Sequence, residues 1–182
     1  MRLKELYKKQ ITKQLQEKLG IKNVMAVPNL SKVVINVGFG RQAKDKDLIE
    51  LVQKSLTAIS GQKPVLTKSK KAISAFKIRE DMIIGCVVTL RGQKMWDFVD
   101  KLVNVYFPRV RDFRGINDKA IDRQGNLTVG FKDIMAFPEI EVQDLDKVHG
   151  LEISLSTTAK SAEAGLELFR ALGFPFAPND NK

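Results

Sequence analysis

The stretch Leu30-Ser31-Lys32-Val33-Val34-Ile35-Asn36-Val37 points most directly to a β-sheet. Half of its residues are valine or isoleucine, which favour strands because their branched side chains pack well on a pleated surface. Gly38-Phe39-Gly40 ends the predicted strand. A helix is predicted next, because Asp45 or Asp47 can cap it and apolar residues then recur at helical spacing as far as Ile59.

Further strands and helices are predicted on both sides of this pair. An amphipathic, basic helix is predicted over residues 2–19, and a strand over residues 83–90. They are followed by a helix that Pro108 should stop, strands at 127–131 and 151–157, and a last helix capped by Ser161. This order predicts an α+β fold, a mainly antiparallel sheet with helices packed on one face. We expect residues 1–182 to form a single domain with a short loose C-terminal tail, residues 177–182.

The most basic stretch runs from Ser60 to Arg79. Six of its twenty residues are Lys or Arg and none is acidic, while small hydroxyl side chains stand between the cations in a strand-like rhythm. Such a surface suits a polyanion, because ammonium groups meet phosphates and hydroxyls can bond to sugars and base edges. An ordinary edge strand guarded by lysines is the alternative interpretation.

The net charge of +10 is unevenly distributed. Residues 1–114 contain 24 Lys/Arg and 10 Asp/Glu, a net charge of +14, whereas residues 115–182 contain 7 and 11, a net charge of −4. The division predicts one surface for a polyanion and another for a different partner, for which a basic protein is a candidate.

The residue content argues against catalytic and metal-binding functions. The single cysteine, Cys86, lies in an apolar run, and the single histidine is His149. No intramolecular disulfide is available, a zinc site lacks ligands, and a Cys/His catalytic pair is disfavoured. We therefore expect no catalytic residue, no metal and no cofactor. The sequence also lacks an apolar run of membrane-spanning length and the apolar core of a signal peptide, so we expect no membrane partner.

Three alternatives remain open from the residues alone. Gly38-Phe39-Gly40-Arg41-Gln42-Ala43 matches the turn that binds dinucleotides, and nearby lysines would suit NADP. The acidic run Glu139, Glu141, Asp144 and Asp146 could bind Mg²⁺, although such a run is more often solvated or turned to a partner. The basic N-terminal helix could lie on a membrane surface, although its apolar stripe is more simply a packing face.

Several long strings resemble one protein family, the bacterial large-subunit ribosomal proteins that bind 5S rRNA. They include Ile59-Ser60-Gly61-Gln62-Lys63-Pro64, Gly85-Cys86-Val87-Val88-Thr89-Leu90-Arg91-Gly92, Arg109-Val110-Arg111-Asp112-Phe113-Arg114-Gly115 and Thr157-Thr158-Ala159-Lys160-Ser161. The resemblance covers essentially the whole chain. It implies a non-enzymatic, cytoplasmic protein of the ribosome, a monomer when isolated, that binds 5S rRNA and 23S rRNA in the central protuberance. A free RNA chaperone or translation factor is the rival binding function.

The resemblance also implies which residues bind. It places RNA on the sheet face without helices and on adjoining loops, with Asn36, Gln62 and Thr89 as hydrogen-bonding contacts to 5S rRNA. Cations and a hydroxyl of the basic stretch should add contacts to the same RNA: Lys63, Thr67, Lys68, Lys70 and Lys71. Three arginines should hold further rRNA phosphates, because arginine binds phosphate bidentately: Arg109, Arg111 and Arg114.

Two more partners follow from the resemblance. A loop of about residues 72–80 should face P-site tRNA through Ser74, Phe76, Lys77 and Arg79. The acidic residues Glu139, Glu141, Asp144 and Asp146 should contact a basic small-subunit protein at a bridge between the subunits. The family usually has glycine where this chain has Asp81, and often proline where it has Ile83. Aspartate tolerates left-handed backbone better than most residues, so Asp81 is expected to affect the conformation of the loop.

Overall fold

The computed structural model describes residues 2–40, 45–140 and 149–177. Helix α1 consists of three consecutive segments, Leu3–Leu6, Tyr7–Ile11 and Thr12–Leu19, and α2 is Lys46–Ser60. Helix α3 consists of Gly92–Lys101, Leu102–Tyr106 and Phe107–Arg109, and α4 is Ala162–Ala171. The strands are β1 (Leu30–Gly38), β2 (Val65–Lys68), β3 (Ile83–Leu90), β4 (Leu127–Phe131) and β5 (Leu151–Thr157).

The five strands form one open sheet in the order β2-β3-β1-β5-β4. Strands β2 and β3 pair antiparallel, with Val65 opposite Val87 and Thr67 opposite Gly85, and the register shifts between Thr67 and Lys68. The predicted α+β class with an antiparallel sheet is confirmed.

Burial alternates along most of β1 and β5 and along the second half of β3, as expected when one side of a strand faces the core and the other faces solvent. In β1, Ile35 and Val37 are buried and Asn36 is exposed; in β3, Val88 is buried and Thr89 is exposed. The open sides of β1 and β3 are therefore available to a ligand.

The chain divides into two compact units. The first comprises Met1–Val33, Leu90–Val129 and Ser154–Lys182. Its core is rich in aromatic side chains: Tyr7 packs on Trp96 with ring centroids 5.2 Å apart, and Phe174 contacts both Phe107 and Phe169, at 5.9 and 5.1 Å. These contacts hold α1, α3 and α4 around shared apolar surface, the largest source of stability for a unit of this size.

The second unit comprises Val34–Thr89 and Gly130–Ile153. Helix α2 buries Leu48, Val52 and Leu56 along one side. Asp45 is the N-cap, because its Oδ1 accepts hydrogen bonds from the backbone N–H groups of Asp47 and Leu48 at 3.0 and 3.2 Å. The prediction of a single domain stays a prediction, and tail residues 178–182 lie outside the described residues.

The predicted end of α3 is wrong. The helix does not stop before Pro108, because Phe107–Arg109 continues it and the backbone becomes extended only at Val110. Pro108 follows a wider, π-helical turn, Leu102–Tyr106, and stands at the start of the last helical segment. Proline lacks the N–H that a helix interior uses, and Pro108 is accommodated here in the last turn, after the widened turn and two residues before the extended Val110.

Candidate RNA-binding surface

The three neutral side chains expected to select RNA belong to the second unit. Asn36 and Thr89 are exposed, on the open sides of the neighbouring strands β1 and β3, and Gln62 is half-buried just after α2. The Gln62 side-chain amide donates to the backbone carbonyl of Thr89, with Nε2 3.3 Å from the oxygen. The Asn36 amide and the Thr89 hydroxyl make no hydrogen bond to any other described residue. Gln62 thus lies beside Thr89, and the Asn36 amide and the Thr89 hydroxyl remain available to a ligand.

The turn that carries Gln62 is held by the end of α2. Gly61 has a φ of +63°, in the left-handed region that glycine reaches without a Cβ penalty. The buried hydroxyl of Ser60 donates to the carbonyl of Leu56 at 2.5 Å and accepts from the N–H of Gln62 at 3.2 Å. Because both ends of the turn are hydrogen-bonded, Gln62 projects from a rigid support.

The cations of the basic stretch belong to the same unit as this surface. Lys63, Lys68, Lys70 and Lys71 are all exposed, and Thr67 is half-buried on β2. The predicted strand-like rhythm holds only for Val65–Lys68, since the chain turns into a hairpin after Lys68. Exposed ammonium groups suit the phosphate backbone of a nucleic acid.

Sequence reasoning overlooked Val65 and Gly85. Val65 is an apolar side chain on β2 with 66% of its surface exposed. A Cβ at Gly85 would lie 2.7 Å from Thr67 Oγ1, so a side chain there would displace Thr67. A glycine inside an apolar strand run was the available signal for such a close approach.

Residues 69–82 form a hairpin with its own hydrogen bonds. Ile73 and Ile78 exchange both backbone bonds, at 2.9 and 3.1 Å, and the N–H of Ser69 donates to Met82 at 2.8 Å. Of the side chains expected to face tRNA, Phe76 is 68% exposed, and the other three, Ser74, Lys77 and Arg79, are exposed as well. The hairpin therefore presents an aromatic ring and cations together.

Asp81 adopts the left-handed backbone conformation, at the position where the family usually has glycine. Its φ is +60°, its N–H donates to the carbonyl of Ser69 at 3.0 Å, and its Oδ1 lies 3.9 Å from Lys68 Nζ. Aspartate adopts this conformation at less cost than most residues. The hairpin base is thus formed with aspartate in place of glycine.

The three arginines after α3 belong to the first unit. Arg109, Arg111 and Arg114 are exposed. Phe113 stacks on buried Phe107 with ring centroids 5.2 Å apart, so it anchors this segment to the core. The arginines thus project from an anchored segment, in a different unit from Asn36, Gln62 and Thr89.

The acidic residues are only partly described. Glu139 is half-buried and lines a pocket with Asp47, Glu50 and Lys54 of α2. Glu141, Asp144 and Asp146 lie outside the described residues. The described part of this surface combines carboxylates from two segments.

The remaining chemical groups show no reactive site in the described part of the chain. Burial raises the pKa of the Cys86 thiol, which keeps it protonated and unreactive. Among the described residues, no group of three His, Cys, Asp or Glu side chains could hold a metal ion. No helix among them is long and apolar enough to cross a membrane.

The described part of the fold does not provide the parallel βαβ unit that the predicted dinucleotide-binding turn requires. Arg41, Gln42 and Ala43 lie outside the described residues, but β1 is flanked by β3 and β5 in an antiparallel sheet. A dinucleotide-binding turn needs a parallel βαβ unit. An open antiparallel face in a unit that carries exposed lysines is instead typical of proteins that bind polyanions.

Comparison with known proteins supports this class and narrows it. Residues 23–79 match the family model described as ribosomal protein L5, and residues 83–176 match the model of the C-terminal part of the same ribosomal family. The chain is 50% identical to the large ribosomal subunit protein uL5 of Clostridium botulinum over 97% of this chain and 98% of that protein. It is 46% identical to the proteins of that name from Psychrobacter arcticus and Psychrobacter cryohalolentis, over 96% of this chain and 98% of each.

The chain belongs to the ribosomal protein L5 family. It is therefore a non-enzymatic protein of the large ribosomal subunit, with RNA-binding and translational roles, and its place is the ribosome in the cytoplasm. The predictions of family and of a non-enzymatic protein are confirmed. Membership of this family contradicts the NADP-binding alternative and the free RNA chaperone or translation factor.

Proposed function

We propose that this protein binds 5S rRNA in the central protuberance of the large subunit through Asn36, Gln62 and Thr89. The observation that carries the proposal is the hydrogen bond from Gln62 to the Thr89 carbonyl, beside the open sides of β1 and β3. An amide and a hydroxyl can each donate and accept, which suits base edges and 2′-hydroxyl groups.

The cations and the neutral groups have different tasks in this proposal. Lys63, Lys68, Lys70 and Lys71 supply affinity by neutralising phosphates, which is salt-dependent and independent of sequence. Asn36, Gln62 and Thr89 supply selectivity, because a buried polar RNA group left unpaired costs free energy. Thr67 and the exposed Val65 add contacts on β2.

Three further contacts complete the proposal. Arg109, Arg111 and Arg114 hold phosphates of 23S rRNA as bidentate ligands. The hairpin of residues 69–82 meets P-site tRNA through Ser74, Phe76, Lys77 and Arg79, with Phe76 free to stack on a base. The surface around Glu139, with Glu141, Asp144 and Asp146, meets a basic small-subunit protein, and the isolated protein is a monomer.

Binding of 5S rRNA by Gln62→Ala and by Gln124→Ala tests the central claim. Gln124 is an exposed glutamine in a turn of the first unit and serves as the matched control. Loss of the Gln62 amide should weaken binding by about 1–3 kcal/mol, or about 5- to 150-fold, whereas Gln124→Ala should bind as the wild type does. Equal affinities for all three proteins would refute the assignment of Gln62.

A variant that conserves side-chain shape tests whether the Thr89 hydroxyl contributes to selectivity for 5S rRNA. Thr89→Val keeps the volume and removes only the hydroxyl, so it should lose affinity for 5S rRNA and keep its affinity for an unrelated RNA of similar length. An equal loss on both RNAs would show that Thr89 does not contribute to selectivity.

A further inference from the structure

Helix α1 presents a cationic side that the surfaces described above do not include. Lys8, Lys9 and Lys13 are exposed, whereas Ile11 and Leu15 are buried, with 1% and 0% of their surfaces accessible. The apolar stripe of the helix is thus used for packing inside the first unit, and the lysines point to solvent.

A widened turn brings the three lysines together. The N–H of Thr12 donates to the carbonyl of Tyr7, five residues earlier, and the Thr12 hydroxyl donates to the same oxygen at 2.8 Å. Lys9 and Lys13 are four residues apart and so lie on the same side of the helix. The i→i+5 bond of the widened turn turns Lys8, five residues before Lys13, towards that side. Turns of this type occur frequently at functional sites.

These lysines differ from those at the ends of the helix. Lys4 donates to the Gln93 side chain at 3.1 Å, and Lys18 pairs with Glu167 at 2.9 Å. Lys8, Lys9 and Lys13 have no ion pair or side-chain hydrogen bond with any described residue. Glu5 and Glu17 flank the cluster, and no acidic residue occurs between them. The three central lysines therefore form no ion pair with any described residue, and Glu5 and Glu17, four residues from Lys9 and Lys13, offset only part of their charge.

The composition of this side indicates the kind of partner. Between the lysines stand the exposed amides Gln10 and Gln14, and no aromatic or aliphatic side chain on this side is exposed. Protein interfaces usually centre on aromatic or apolar anchors, and a membrane-bound helix inserts its apolar face, which here is buried. Lysines with hydrogen-bonding amides suit the phosphates and sugars of RNA.

We propose that the Lys8–Lys9–Lys13 cluster is a further RNA-binding surface, separate from Arg109, Arg111 and Arg114, which holds an RNA phosphate backbone without reading its sequence. It lies in the first unit and shares no residue with the Asn36–Gln62–Thr89 surface of the second unit. The two surfaces therefore respond to different substitutions.

A matched pair of triple variants tests the proposal. K8Q/K9Q/K13Q and K46Q/K132Q/K160Q remove the same charge, but the second set takes exposed lysines that are scattered along the chain. Binding to a short RNA duplex unrelated to 5S rRNA is measured over a range of salt concentrations, after circular dichroism has shown that each variant is folded. The clustered variant should reduce the slope of log affinity against log salt by about 2–3, since each phosphate contact contributes about 0.9.

The scattered variant should change that slope by less than about 1. K8R/K9R/K13R should keep the wild-type slope, because arginine retains the charge. Equal changes for the clustered and scattered variants would overturn the proposal, as would tighter lysine-dependent binding to phosphatidylserine vesicles than to the duplex.

The same measurements distinguish a failure of this lysine cluster from a failure of the proposed 5S rRNA surface. Gln62→Ala should leave duplex binding and its salt slope unchanged, whereas the clustered variant should keep its preference for 5S rRNA over an unrelated RNA. A clustered variant that loses only that preference, with an unchanged salt slope, would assign the lysines to the 5S site and refute a separate surface.

Discussion

Gly125 and Gly165 lie against each other so closely that a Cβ on Gly165 would come within 2.5 Å of the Cα and carbonyl oxygen of Gly125. The turn at Gly125 is held in place, because Thr157 Oγ1 donates to its carbonyl at 2.8 Å. Helix α4 can therefore pack on this turn only with glycine at position 165.

Gly165→Ala should destabilise the protein by about 1–3 kcal/mol, the usual cost of overpacking. The clash is with backbone, which cannot rotate away, and it should outweigh the gain of about 1 kcal/mol from the better helix propensity of alanine. Urea unfolding measures the effect. Gly130→Ala is the control, because a Cβ there meets nothing within 4 Å; similar values for both variants would contradict the packing argument.

Lys70 and Gln62 should affect RNA binding in different ways. Lys70→Ala should reduce the slope of log affinity against log salt by about 1, because one phosphate contact is lost, and should weaken all RNAs alike. Gln62→Ala should leave the slope unchanged and weaken only the cognate RNA. Filter binding across salt concentrations distinguishes them, and equal slopes for the two variants would remove the distinction between affinity and selectivity.

Substitutions at Asp81 should test the base of the hairpin. Asp81→Gly should keep the hairpin intact, since glycine adopts a φ of +60° freely, and Asp81→Val should open it, because a β-branched residue is strained there. Hydrogen exchange at the amides of Ser69, Ile73 and Ile78 reports the difference.

Asp81→Asn separates backbone strain from charge. Asparagine tolerates the left-handed region and removes only the ion pair with Lys68, which is exposed and contributes little. Its exchange rates should match the wild type. Rapid exchange in Asp81→Asn would mean that the ion pair holds the hairpin.

The Tyr7 hydroxyl should contribute stability that depends on pH. It donates to the carbonyl of Pro28 at 2.8 Å, and burial raises its pKa above the usual 10.0. Tyr7→Phe should cost about 1 kcal/mol at neutral pH. Above pH 10.0 the unfolded tyrosine ionises while the folded one stays neutral, so the wild type loses its advantage.

Unfolding of both proteins from about pH 7 to about pH 11 measures this effect. The remaining titratable groups are common to the two proteins and cancel in the comparison. A stability difference that stays constant or widens with pH would contradict the assignment of the buried hydroxyl.

The regular elements of this fold could be predicted from local patterns. Strand β3 was predicted with its observed bounds, since β-branched residues and a following Arg91-Gly92 mark it clearly. Helix α2 was predicted from its aspartate cap and its apolar spacing. Local propensity and burial agree in both elements, which is the condition for reading structure from sequence.

The irregular parts could not be predicted, because tertiary contacts decide them. The apolar spacing of residues 2–19 predicts a regular helix and does not indicate the π-helical turn at Tyr7–Ile11, where Tyr7 also packs on Trp96 and bonds to Pro28. The location of Gln62 beside Thr89 likewise depends on a contact 27 residues apart in sequence. The resemblance to a protein family identified Gln62 and Thr89 as candidate RNA contacts, whereas the hydrophobic and polar pattern of the sequence did not.

The internal hydrogen bonds of the hairpin at residues 69–82 have a consequence for molecular recognition. Because Ile73 and Ile78 bond to each other and Ser69 bonds to Met82, much of the conformational entropy of this segment is lost during folding. A partner that meets Phe76 has little chain left to order, so the hairpin is preorganised and more of its contact energy is retained as affinity.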